Sequence, residues 1–140
     1  LVKVKFYSIF LAKAQDLFNL FIPNLEDRKM EINQKEESGI VTISIKGRMD
    51  ADTAPEAEKT VNSILKGDSN RLLFDLEQLE YLSSAGLRVL LSAAKELKRR
   101  EGKIVLCSLN EFVKEIFEVS GFESLIPISD SVESGKKVLS

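Results

Sequence analysis

Two adjacent serines, Ser83 and Ser84, lie between a short loop that follows the apolar strand ending at Leu76 and a helical pattern that begins at Ala85-Gly86-Leu87. A helix start leaves backbone amides unpaired and carries the positive end of the helix dipole, so it can hold an anion or a phosphate. A hydroxyl placed there can cap the helix, worth about 1 kcal/mol. It can also accept a phosphoryl group, which brings a charge of roughly −1.5 to −2 and three strong acceptor oxygens. Other chemistry is scarce. With no histidine in the chain, the usual serine–histidine triad is impossible. The carboxylates are scattered, with no spacing that singles out a metal site or an acid–base pair. No glycine-rich phosphate loop is present. These residues point to a non-enzymatic binding protein that uses neither metal nor cofactor.

The elements that position the serines follow from periodicity. The 140 residues suit a main domain large enough to bury a core, and a formal net charge of −2 gives no electrostatic case for nucleic acid. Glu31–Glu36 and Ile40–Lys46 flank Ser38-Gly39 and read as a hairpin. Gly47-Arg48-Met49-Asp50 is expected to break that strand, with Asp52 or Thr53 capping a helix that runs to Gly67. Residues 71–76 form a short apolar strand buried on both faces. The helix after the serines presents Leu87, Leu90, Leu91, Ala94 and Leu97 on one face. Lys98, Arg99 and Arg100 near its end complement the negative pole of the dipole. Lys103–Cys107 is the next strand, with Cys107 a buried, unreactive thiol. Ser108 or Asn110 caps a further helix expected to turn Phe112, Val113, Ile116, Phe117 and Val119 inward. Leu125–Ile128 is a short strand and 130–139 a last helix.

Strands alternating with helices predict an α/β domain, a mixed sheet of about four to five strands with about four helices. Leu73, Leu87, Leu90, Leu91, Val105, Phe112, Ile116 and Phe117 are its expected core. The loops after Lys46 and Leu76 emerge at one edge of the sheet, so Asp50, Ser83 and Ser84 are expected to share a surface. Asp50 has two readings, a cap for the next helix or a partner contact. Gly86 likewise either admits a partner's backbone or packs beneath the helix start.

Residues 1–29 differ in composition from the rest. They hold five basic and three acidic side chains, net +2, and four of the eight phenylalanines. Lys3 and Lys5 before Phe6–Ala12 imitate a signal peptide, but Lys13 and Asp16 interrupt the apolar run short of a membrane span. Phe6, Phe10, Leu17, Leu20 and Phe21 instead fall near helical spacing. An N-terminal amphipathic extension over 1–29 is expected, docked on its own domain (30–140) or on a second copy as a homodimer contact, with a membrane surface the least favoured site.

Gly47-Arg48-Met49-Asp50, then Asp75-Leu76, then Tyr81–Leu87, then Val119-Ser120-Gly121-Phe122 resemble the ordered landmarks of STAS domains. Among these the chain is most similar to bacterial anti-sigma factor antagonists, over about residues 31–139. The resemblance implies a cytoplasmic partner-switching protein. Such an antagonist binds an anti-sigma factor that is also a serine kinase and so frees a sigma factor. Phosphorylation of one serine breaks that complex, and a serine phosphatase reverses the modification. Matched by position, the acceptor is Ser84. The family's commonest pattern has Asp, Ser and then Ser or Thr before the glycine, where this chain has Ser83, Ser84 and Ala85, so Ser83 is the alternative acceptor. The implied partner-binding residues are Asp50, Ser83, Ser84, Gly86 and Arg88. The alternative function is a STAS docking module of a transporter or other signalling complex, without phospho-switching.

Overall fold

The computed structural model describes residues 30–140, and the expected extension over 1–29 lies outside them. The chain opens with β1 (Glu31–Glu37) and β2 (Ile40–Met49), paired antiparallel around Ser38-Gly39 in the register Glu37↔Ile40. Ser38 and Gly39 both have positive φ, as the tightest hairpin turns require. After α1 (Ala54–Leu65), the strand β3 (Arg71–Asp75) joins β2 in parallel. Next come β4 (Leu79–Leu82) and α2 (Ser84–Arg99). Strand β5 (Lys103–Cys107) is parallel to β3, and α3 (Glu111–Ser120) leads to β6 (Ile128–Ser129) and α4 (Val132–Leu139). The sheet order is β1-β2-β3-β5-β6, with β4 paired to the far end of β2.

Both faces of the sheet are covered at its middle strands β3 and β5, while β1 is largely exposed, and the period-two alternation of the strands shows how. Ile43, Ile45, Leu72, Phe74, Ile104 and Leu106 point into one core with residues of α1, α2 and α3. Their neighbours Ile40, Leu73, Val105 and Cys107 point the other way and pack with Leu139 of α4. Strands β3 and β5 are therefore buried on both sides, as their near-continuous apolar runs predict. Burial, with Asp75 and Glu133 adding to it, pushes the Cys107 thiol up to about 11, so it stays protonated at neutral pH.

Four expectations need correction. Gly47 does not end its strand. Gly47 has φ +95°, the register with the neighbouring strand shifts between Gly47 and Arg48 so that Glu80 is the extra residue, and β2 runs on to Met49. From Gly47 on it pairs with β4 instead of β3, whose pairing ends at Ser44, and β4 is a strand where only a loop was expected. The buried face of α2 is centred on Val89, Leu90, Ala93 and Leu97, which leaves Leu87 and Leu91 half-buried at its margin. Small residues at Gly86 and Ala93 let the helix sit close to the sheet, which turns the larger leucines aside. In α3, Val113 and Phe117 are buried and Ile116 is partly so. Phe112 and Val119, expected to face inward, are 49% and 82% exposed. The five apolar residues of α3 cover an arc of roughly 160°, wider than the face the helix can bury. Leu73, Leu90, Val105 and Phe117 are core residues as expected.

Candidate functional site

The two serines have different roles. Ser83 is the N-cap of α2, with extended backbone and its Oγ accepting from the Gly86 amide at 3.2 Å. The same hydroxyl donates to the Met49 carbonyl at 3.1 Å, and the Ser83 amide donates to that oxygen at 2.9 Å. Ser83 thus ties the helix start to the end of β2 and is half-buried. Ser84 is the first helical residue and is exposed, and no described residue bonds its hydroxyl. The cap that either serine could make is made by Ser83, and this leaves Ser84 open to a reagent from solution.

Gly86 is buried directly beneath the helix start. A β-carbon there would lie 2.7 Å from the Met49 carbonyl oxygen and 2.8 Å from Leu82 Cδ1. This packing supports the second reading, in which Gly86 lets α2 approach its own strand. Arg88, one turn along from Ser84, is exposed on α2.

Asp50 follows Met49 and so lies beside the cap. Its Oδ1 accepts from the amides of Asp52 (2.9 Å) and Thr53 (3.1 Å), and the Thr53 hydroxyl lies 3.3 Å away. That hydroxyl donates to the Arg48 carbonyl at 2.7 Å and accepts from the Asp50 amide at 2.9 Å. Asp50 therefore organises the turn into α1. Partial desolvation opposes ionisation, but the Thr53 and Asp52 amides, the Thr53 hydroxyl and the Arg48 charge outweigh it and hold the carboxyl below its ordinary value. The structure brings Asp50, Ser83 and Ser84 to one edge of the sheet, through the pairing of Met49 with Leu82.

Sequence reasoning missed a neighbouring cluster. Arg48 and Tyr81 are register partners across β2 and β4, and the Arg48 guanidinium lies 4.2 Å from the centre of the Tyr81 ring. Tyr81 in turn stacks on Phe112, with ring centres 6.0 Å apart and planes at 18°. Asn110 fixes this geometry. Its Oδ1 caps α3 by accepting from the Val113 amide at 2.8 Å, and its Nδ2 donates to the Leu79 carbonyl at 2.9 Å. A capping asparagine at the start of α3 was legible, but the β2–β4 register that joins Arg48 to Tyr81 was not.

The basic end of α2 serves the fold. Arg100 donates to the carbonyls of Leu65 and Ser69, and Arg99 pairs with Glu96 at 2.6 Å. Among the described residues no group of three or more His, Cys, Asp or Glu is placed to hold a metal ion. None of their helices is long and apolar enough to cross a membrane.

With this geometry in place, the family is clear. The STAS domain family matches residues 31–135, and the chain belongs to it. The chain is 35% identical over 105 residues to BtrV of Bordetella bronchiseptica, which carries the name of an anti-sigma factor antagonist. That match covers 75% of this chain and 90% of BtrV. The fold is shared with the crystal structure of an anti-sigma factor antagonist from Mycobacterium paratuberculosis, at a TM-score of 0.75 and 19% identity over 80% of this chain and 95% of that one. It is shared too with the Bacillus cell fate determinant SpoIIAA in its phosphorylated form, at a TM-score of 0.63 and 17% identity over 77% of this chain and 99% of that one.

Proposed function

We propose that this chain is an anti-sigma factor antagonist that binds an anti-sigma factor serine kinase, releases a sigma factor, and is switched off by phosphorylation of Ser84. The observation that carries this reading is the division of labour between the serines: Ser83 is spent on the cap, while Ser84 is exposed and bonded by no described residue. The name carried by BtrV and the fold shared with phosphorylated SpoIIAA support it.

The physics of the switch follows from that placement. A phosphoryl group on Ser84 displaces no hydrogen bond of the fold and sits at the positive end of the α2 dipole, which favours it. A partner packed over the same hydroxyl has to desolvate a near-dianion, at a cost of several kcal/mol when it is unpaired. The modification therefore spares the domain and breaks the complex. A serine phosphatase restores binding.

The test is incubation with each anti-sigma serine kinase of the source organism, followed by intact mass and site mapping. Wild-type chain gains one phosphoryl group, on Ser84, and Ser84→Ala gains none while still binding. Modification of Ser83 alone would move the acceptor. Wild-type affinity in Ser84→Asp would remove the mechanism.

A further inference from the structure

Helix α3 carries more apolar surface than its packing uses. At 100° per residue, Val119, Phe112 and Ile116 fall within roughly 60° of one another and form an outward stripe beside the buried Val113 and Phe117. The stripe is continuous with the serine site. Phe112 stacks on Tyr81, Tyr81 carries Arg48, and Arg48 precedes the Met49 whose carbonyl holds Ser83. Tyrosine and arginine are the side chains most enriched at energetic centres of protein interfaces, together with tryptophan. Here the rings are already stacked and the guanidinium already seated, so little side-chain freedom is lost on docking.

The charges around the stripe decide what covers it. Glu111, Glu115 and Glu118 are all exposed along the same helix, against a single half-buried lysine, Lys114, so the helix is net acidic. Anionic lipid and nucleic acid are repelled by that frame, and a second copy would set acid against acid. A protein with an apolar pocket ringed by basic side chains fits.

We infer that Phe112, Ile116 and Val119 of α3, joined through Tyr81 to Arg48, form the second half of the docking surface for the anti-sigma kinase. This rests on the reading of Ser84 as the kinase's target. The kinase grips the α3 stripe with a basic-rimmed pocket while its catalytic centre reaches Ser84. Phe112 and Val119 are docking residues and take no part in phosphoryl transfer.

The probe is the kinase that modifies Ser84 in the assay above, used with the full chain. Phe112→Ala and Val119→Asp should each weaken binding by about tenfold or more. They should also raise KM for Ser84 phosphorylation and leave kcat unchanged, the signature of lost uniform binding. Val138→Asp is the control, because Val138 on α4 is as exposed as Phe112, at 49%, and lies outside the stripe. It should change neither quantity, and all three variants should melt with the wild type. Wild-type binding and KM in both stripe variants, alongside lost binding in Ser84→Asp, would overturn the docking surface and leave the phospho-switch standing. A wild-type chain that binds none of the kinases would overturn both. Sedimentation with phosphatidylglycerol vesicles abolished by Val119→Asp would assign the stripe to a membrane, and a dimer broken by it would assign the stripe to a second copy.

Discussion

The starts of α2 and α3 are capped alike and differ in the residues that follow the cap. Each has a capping side chain that accepts from the amide three residues on, Ser83 from Gly86 and Asn110 from Val113. Each cap also reaches a strand end, Ser83 to the Met49 carbonyl and Asn110 to that of Leu79. The residue after the cap is a neutral, exposed serine in α2 and an exposed glutamate in α3. The fold thus already carries a negative side chain at the first position of one of these helices, where the dipole favours it. A phosphoryl group on Ser84 would give α2 the charge pattern that α3 has permanently. It follows that phosphorylation should be felt by whatever docks there and hardly at all by the domain.

The largest difference between the two starts lies one turn in. The third helical residue is buried in both, as Gly86 in α2 and as Val113 in α3. Gly86→Val drives carbon into the Met49 carbonyl and should cost about 3 kcal/mol, read by denaturant unfolding. Val113→Ala only leaves a small void and should cost about 1–2 kcal/mol. A mild Gly86→Val would mean that α2 can lift off β2 and that the Ser84 platform is not rigid.

The caps come next. Ser83→Ala should lose about 1–2 kcal/mol, since it removes the cap and the link to Met49 together. Asn110→Ala should lose a similar amount. Ser84→Ala should stay within about 0.5 kcal/mol of wild type, as an exposed, unbonded side chain should. Equal losses at Ser83 and Ser84 would erase the division of labour on which the acceptor assignment rests.

How far was this arrangement legible beforehand? The helices, the hairpin and the doubly buried strands β3 and β5 follow from periodicity, because burial on one or two faces leaves a direct mark on residue spacing. Strand β4 left none. It has only four residues, Leu79–Leu82, and exists by pairing with Gly47, Arg48 and Met49 at the end of β2, past the part that pairs with β3. Which serine caps α2 was equally hidden. Ser83 and Ser84 are chemically identical, and only the approach of Met49 selects between them. Phe112 and Val119 show a different limit. An apolar arc wider than one buried face says that some of its residues are exposed, but the packing partners decide which.

The smallest effect concerns Asp50. The amides of Thr53 and Asp52 hold its folded-state pKa below the ordinary value of 3.8. Its contribution to stability is therefore complete above that value and is lost as pH falls through the folded pKa. Asp50→Asn should flatten this part of the acid limb in melting temperature against pH. An unchanged limb would mean that the turn into α1 does not depend on the charge.

The central claim is that Ser84 controls binding without controlling the fold. It is tested most directly by preparing the full chain phosphorylated on Ser84 and measuring its melting temperature and its affinity for the kinase side by side with unmodified chain. The account predicts coincident melting curves and an affinity reduced by about two orders of magnitude or more, the loss expected when a partner must bury a near-dianion. A lowered melting temperature, or a kinase bound as tightly as before, would contradict it.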